Sequence, residues 1–278
     1  MVTIALLLFI LGLACGSFVN ALVWRLREQS KPKNSKLKTK NLSILNGRSM
    51  CVNCKHVLAW YDLIPILSWL QLQGRCRYCK KPISIQYPLV ELITGLVFAG
   101  SYLLWSNTVH LNGQWLLLGT WLVSSIGLLA LAVYDLRWML LPNKIIYPTL
   151  AVAVSGRLGY IIAFGNRPLH ATLLWAGSII IASGVFLALF TVSKGKWIGY
   201  GDVRLGLITG TLLADPQKAL AMIFIASLIG TLVVLPGMMA GKKTMASKLP
   251  YGPFIIAATA IMVVFGDSLL NWYKSLIV

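Results

Sequence analysis

The chain has 278 residues, of which 58% are hydrophobic and only 12% charged, with a formal net charge of +18. A soluble domain carries about 25% charged residues, so a single water-solvated core is excluded and the bilayer becomes the solvent for most of the fold. The positive charge invites a nucleic-acid reading, but the basic residues gather in the loops between apolar runs. That pattern belongs to membrane topology, and no nucleic-acid partner is expected.

Runs of roughly 20 apolar residues recur along the chain, each long enough to cross about 30 Å of hydrocarbon. Inside lipid every backbone amide has to be satisfied within its own segment, so the expected fold is all-α, a polytopic transmembrane helical bundle. About eight spans are predicted, at 2–24, 87–105, 115–134, 145–164, 171–192, 202–214, 217–239 and 252–273. The first is read as a retained helix, because no basic stretch precedes it and Arg25 and Arg27 follow it. It carries Gly12 and Gly16, a small-xxx-small pair suited to close helix packing. Asn20, one turn further on, is expected to pack against its neighbour, with a hydrogen bond across helices as the alternative.

Residues 25–86 form the one sizeable polar segment. The run Lys31–Lys40 is suited to anionic lipid headgroups, with a merely solvated loop as the alternative. Two CxxC pairs follow, Cys51/Cys54 and Cys76/Cys79. Each pair can supply two thiolates at one corner of a tetrahedron, which makes a Cys₄ zinc loop the expected reading. A full Cys₄ set leaves no open coordination position, so the metal is expected to be structural. Nearby Lys55, Arg75, Arg77, Lys80 and Lys81 are expected to offset the thiolate charge. Two disulfides are the alternative, and a reducing compartment disfavours them. The fifth cysteine, Cys15, falls inside the first span, where a packing role is expected.

The second span opens at Tyr87-Pro88 and carries Glu91 in what the proline suggests is its first turn. A carboxylate there either serves chemistry or simply favours the helix dipole. Asp135 closes the third span, where the alternative to a functional role is pairing with Arg137 or Lys144. The sixth span is short, closed by Asp215-Pro216, and its thirteen residues rise only about 20 Å. Asp202 opens it within Gly199-Tyr-Gly201-Asp202, and a helix N-cap is the competing reading for this aspartate. Gly199 and Gly201 are expected to permit unusual turns and a close substrate approach.

All Lys and Arg except Arg157, Arg167, Lys218 and Lys274 lie in one alternating set of loops, around 25–86, 135–144, 193–204 and 240–250. That bias places the set in the cytoplasm and both termini outside. Asp135 and Asp202 then share the cytoplasmic side, where ionisable groups at membrane depth are functional candidates by default. Two nearby carboxylates share a proton, so one can activate water while the other polarises a peptide carbonyl. Rival chemistries are poorly supplied. His56 lies in the cysteine loop and His110 and His170 in predicted outer loops, and the chain has neither an HExxH nor a Walker-type loop. Proton-coupled transport would favour midplane aspartates and internal repeats, which are not evident.

Taken together, these motifs resemble the prepilin leader peptidase family of intramembrane aspartyl peptidases, over essentially the whole chain. The resemblance runs through Gly16-Ser17-Phe18-Val19-Asn20, both CxxC pairs, Ala59 to Pro65, Gly74-Arg75-Cys76 and Tyr87 to Glu91. It continues through Asp135 to Pro142, Gly199 to Asp202, and Lys248 to Pro253. Arg204 stands where many relatives have lysine, with the charge kept. A preflagellin- or presenilin-like peptidase shares Gly-x-Gly-Asp, and the Cys₄ loop argues against it. The resemblance implies two activities: removal of the basic leader from type IV prepilins or pseudopilins on the cytoplasmic side, and methylation of the new N-terminal residue from S-adenosylmethionine. It matches Asp135 and Asp202 to the catalytic pair and Glu91 to a methylation motif. It associates residues 1–105 with methylation and 106–278 with the peptidase, in a multi-pass protein of the bacterial plasma (inner) membrane.

Overall fold

The computed structural model describes residues 1–30, 42–43, 47–105, 113–239 and 249–276. The basic run at 31–40, His110 and Lys248 lie outside the described residues. The chain divides into two compact units, Met1–Leu104 and Trp105–Val278. Among the described residues seven helices are long and apolar enough to cross a membrane, and the chain is a multi-pass membrane protein.

The first unit is built on α1 (Val2–Gln29) and α3 (Gln86–Trp105). They approach closely because Gly12 and Gly16 have no side chains. A Cβ on Gly12 would lie 2.7 Å from Cα of Gly95, and one on Gly16 would lie 2.6 Å from Cα of Glu91. Asn20 departs from its expected role. Its amide donates to the Tyr87 carbonyl (3.1 Å) and accepts from the Gln86 side chain (3.2 Å), because a buried amide beside a helix start finds polar partners there. Between the two helices lie the cysteine segment, a 3₁₀ turn at Trp60–Leu63 and the short α2 (Leu67–Gln71).

The second unit contains α4 (Gln114–Trp138), α5 (Asn143–Phe164), α6 (Pro168–Ser193), α7 (Tyr200–Leu213), α8 (Pro216–Met239) and α9 (Gly252–Ser275). The short α7 lies at its centre, packed against α5, α6, α8 and α9. Nine of its 14 residues are buried, so its polar Thr209 and Thr211 and the apolar Leu205 and Ile208 all face protein. Its seam with α6 is backbone-close. A Cβ on Gly206 would lie 2.7 Å from the Ala182 carbonyl, and one on Gly210 would lie 2.8 Å from Cα of Ile179. Ser178 and Ser183 of α6 donate across this seam to the Gly210 and Val203 carbonyls, at 2.8 and 2.9 Å. Small residues and hydroxyl bonds are what hold helices together where no hydrophobic gain separates protein from lipid. Asp215 ends the connection to α8 by accepting from the amides of Gln217 and Lys218, the N-cap use of aspartate.

Candidate functional site

Each CxxC pair folds into its own small hairpin, and the two hairpins repeat each other bond for bond. In the first, Cys51 donates its amide to His56 (2.9 Å) and Lys55 donates back to Cys51 (3.0 Å). In the second, Cys76 donates to Lys81 (2.9 Å) and Lys80 to Cys76 (2.9 Å). The chain turns at Lys55 (φ 60°) and Lys80 (φ 58°), the residue after the second cysteine in each case. Antiparallel bridges Met50–Val57 and Arg75–Pro82 close the two loops.

These hairpins bring all four Sγ atoms within 4.8 Å of one another, with Cys51 and Cys79 3.9 Å apart. Tetrahedral zinc with Zn–S bonds of about 2.3 Å needs thiolates about 3.8 Å apart, so the set fits zinc. The Cys51–Cys79 separation is far beyond the S–S length of a disulfide, about 2.05 Å, and all five cysteines are free. Chiefly through the Lys81 amide, the Cys79 thiol is pulled down to about 7, while burial pushes Cys51 up to about 11. A bound metal ion deprotonates such thiols outright. Two of the nearby cations are engaged elsewhere: Lys55 lies 4.9 Å over the Trp24 ring, and Arg77 pairs with Asp62 at 2.7 Å.

Glu91 is not in a first turn. Helix α3 begins at Gln86, so Pro88 falls inside the opening turn, where its missing N–H costs no intrahelical bond, and Glu91 sits one turn deeper. The carboxylate is buried, 7% exposed, and accepts the Ile66 amide at 2.8 Å and a hydrogen bond from Ser17. Ile66 holds φ 60°, ψ −52°, and Leu67 donates to the Pro65 carbonyl at 2.5 Å. This is a γ-turn of the rare positive-φ kind, strained for a β-branched residue. The carboxylate rewards the strained conformation by taking the amide that it points outward.

In the second unit the two remaining buried carboxylates come together. Asp135 lies in the last turn of α4 and Asp202 in the first turn of α7, 5% and 8% exposed. Each gives its Oδ2 to a glycine amide. Asp135 accepts from Gly252 (3.1 Å), the first residue of α9, and Asp202 accepts from Gly199 (3.2 Å), the N-cap of α7. Asp202 is therefore not the N-cap; it sits three residues beyond it and caps backwards, as in half of a capping box. The two carboxylates lie within Coulombic range of each other. Leu141 adjoins both sides: a Cβ on Gly201 would meet it at 3.0 Å, and one on Gly252 would meet it at 3.6 Å and Asp135 Oδ2 at 2.8 Å.

Neither Gly199 nor Gly201 has a positive φ. Gly201 allows close approach to Leu141, whereas a Cβ on Gly199 would make only an ordinary contact, 3.5 Å from Asp202 Oδ2; α7 begins at Tyr200 and winds normally through Gly201. Arg204 bonds to Asn143 at the start of α5 and covers the Tyr200 ring. Gly252 and Ile66 are the participants that residue type did not announce. The Gly252-Pro253 pair is a helix-start signal, while Ile66 carried no sign of its role.

Buried paired carboxylates at helix ends, in a unit of membrane-spanning helices, are the equipment of an intramembrane aspartyl hydrolase. Residues 10–105 match the bacterial peptidase A24 N-terminal domain, and residues 122–235 match the type IV leader peptidase family. The chain is 30% identical to the prepilin leader peptidase/N-methyltransferase of Aeromonas hydrophila, over 96% of this chain and 92% of that protein. It is 30% identical to the protein of the same name from Bacillus subtilis, over 96% of each. For the one from Myxococcus xanthus the identity is 34%, over 86% of this chain and 66% of that protein. No solved structure matches. The chain belongs to the type IV leader peptidase family.

Proposed function

We propose that this chain removes the leader from type IV prepilins or pseudopilins and methylates the new N-terminal residue, with Asp135 and Asp202 as the hydrolytic pair. The observation that carries the reading is the convergence of two buried carboxylates, each held by one glycine amide through Oδ2. One bond apiece fixes the orientation and leaves Oδ1 for chemistry. One carboxylate, ionised, takes a proton from water as that water attacks the scissile carbonyl. The other, protonated, donates to the carbonyl oxygen; as the intermediate collapses it takes that proton back, and the first carboxylate gives the proton it took from water to the leaving amine. Family membership and full-length relatives of that name support the substrate class.

Residues 1–105 serve methylation and 106–278 the peptidase in this reading. Zinc held by Cys51, Cys54, Cys76 and Cys79 is structural, since four thiolates complete its shell. S-adenosylmethionine supplies the electrophilic methyl group. Glu91, held by Ile66 and Ser17, orients the free amine or accepts its proton. The basic-loop bias supports a plasma (inner) membrane location with both termini outside and the cysteine loop and aspartates facing the cytoplasm.

Incubating purified protein with a model prepilin, then weighing the product, tests both activities. Leader loss and one added methyl are expected. Glu91→Gln should leave leader removal intact and lower methylation; full methylation by that variant would return Glu91 to a structural role.

A further inference from the structure

Residues 63–70 read Leu-Ile-Pro-Ile-Leu-Ser-Trp-Leu, an apolar stretch inside the otherwise polar segment. The short α2 sorts these side chains by direction. Ser68, Trp69 and Leu72 turn inward onto a cavity that α1 and α3 also line. Trp69 is fixed there by its indole N–H on the Ile83 carbonyl (3.2 Å) and by Gly74, whose absent Cβ would meet the ring at 2.9 Å. Leu67 and Leu70 are left outside, 64% and 58% exposed, and Ile64 is exposed as well. Exposed polar side chains, Gln71 and Gln73, return only where the chain runs on to the second hairpin.

The depth of this apolar face follows from the two long helices. Gly16 of α1 packs on Glu91 of α3. From that level α1 runs back to Val2 and α3 runs on to Trp105, fourteen residues in each case, a rise of about 21 Å. A hydrocarbon core of about 30 Å therefore continues about 9 Å past Glu91 on the side of the cysteine segment. Within two residues of Gly16 and of Glu91 the exposed side chains are Ala14, Phe18, Leu89, Leu92 and Ile93, all of them apolar. Ile66 shares this level, because its amide donates to Glu91 at 2.8 Å. A chain that leaves water has to satisfy its amides. Pro65 has none to satisfy. Ile66 gives its own to Glu91, Leu67 to the Pro65 carbonyl, Ser68 to Ile64 (3.1 Å) and Leu70 to Ile66 (3.0 Å). Glu91 supplies the one acceptor that the γ-turn itself lacks.

We propose that residues 64–70 are a re-entrant element, dipping into the leaflet on the side of the cysteine segment with Ile64, Leu67 and Leu70 against acyl chains. Interfacial elements commonly sit about 5–10 Å into the boundary between headgroups and acyl chains, which is the depth that Glu91 sets. Lipid is the occupant because it already surrounds α1 and α3 at that level, whereas a protein cover would have to lie inside the membrane itself. The element also sets the height of the second hairpin. Gly74 donates to the Trp69 carbonyl (2.9 Å) and accepts from Ile83 (2.7 Å), so α2 and that hairpin are one piece.

The test uses the full chain in phospholipid vesicles and an apolar diazirine dissolved in the acyl phase, with labelled peptides weighed after irradiation. In the wild type, residues 63–72 should be labelled within threefold of residues 89–96 of α3, and residues 75–82 of the second hairpin at least tenfold less. Leu67→Asp/Leu70→Asp should lower labelling of 63–72 at least fivefold, with α3 labelling and helicity unchanged. Should that variant lose helicity, the wild-type pattern decides alone. Wild-type labelling of 63–72 no higher than that of 75–82 would put the element in water and end the proposal. A photoreactive p-benzoylphenylalanine in place of Leu67 names the neighbour directly, and a phospholipid adduct is expected. A protein adduct instead, from a second copy or from an added prepilin, would assign the face to a protein and overturn the lipid reading.

Discussion

The four-cysteine centre and the aspartate pair are opposite ways of building a site. The cysteines are held by two hairpins, each stitched by bonds that span nine residues or fewer, and the proposed metal would join hairpin to hairpin. The aspartates are held by the fold at large: the Gly252 amide reaches Asp135 across 117 positions, and Asp202 stands where it does because α7 is locked on α6. Geometry in the first case is local, and the proposed ion would complete it. In the second it is inherited from the packing of four helices, so residues far from the chemistry control it.

The largest effect should come from the pair itself. Asp135→Asn and Asp202→Asn should each lower leader cleavage by about a thousandfold or more in a protein that still inserts. The double variant should be no worse, because groups acting as a unit are not additive. Robust cleavage by either single variant would remove the pair from the mechanism. Next comes the metal centre. Elemental analysis of the purified wild type should find about one zinc per chain, and the Cys51→Ser/Cys76→Ser protein should lose it. Limited proteolysis should then cut residues 47–85 before any helix of the second unit. Simultaneous collapse of both units would erase the distinction between a local and an assembled site.

A sharper probe is Gly252→Ala, whose methyl would sit 2.8 Å from Asp135 Oδ2. Displacing a reacting group by about 1 Å can cost a hundredfold. That order of loss in kcat is expected, with thermal stability little changed. Smallest in effect is the helix seam. Gly210→Ala has to push α7 off Ile179 and should destabilise by about 1–3 kcal/mol, whereas Gly119→Ala, which meets nothing within 4 Å, should be silent. Thermal melts in one detergent compare the two; equal stability would mean that the seam is looser than its geometry.

Much of this was legible in residue order. Spacing of two inside each cysteine pair is enough to define a knuckle, and Asp215-Pro216 marks the end of α7 without any tertiary knowledge. Seven long apolar helices and one short one match the reading of about eight spans. What escaped has a common cause: it depends on who meets whom. Asn20 looked like packing until Gln86 and Tyr87 were found beside it. The proline suggests a helix start two residues beyond the true one at Gln86, which moves Glu91 into a first turn that it does not occupy. Nothing in Pro65-Ile66 hints that its amide is aimed at a carboxylate 25 residues away. Periodicity reveals which face of a helix is apolar, and pairing between faces is written in no single segment.

The length of α7 bears on the lipid as well as on the chemistry. Fourteen residues rise about 21 Å, some 9 Å short of the hydrocarbon thickness of a typical bilayer. A helix that short, if lipid touched it, would have to thin the membrane around itself. Here four longer helices surround it, and its buried majority never meets an acyl chain. Those outer helices are the ones that meet lipid and can answer a mismatch by tilting. The helix that carries Asp202 is thereby insulated from hydrophobic mismatch, and the spacing of the two carboxylates should hold across bilayers of different acyl-chain length.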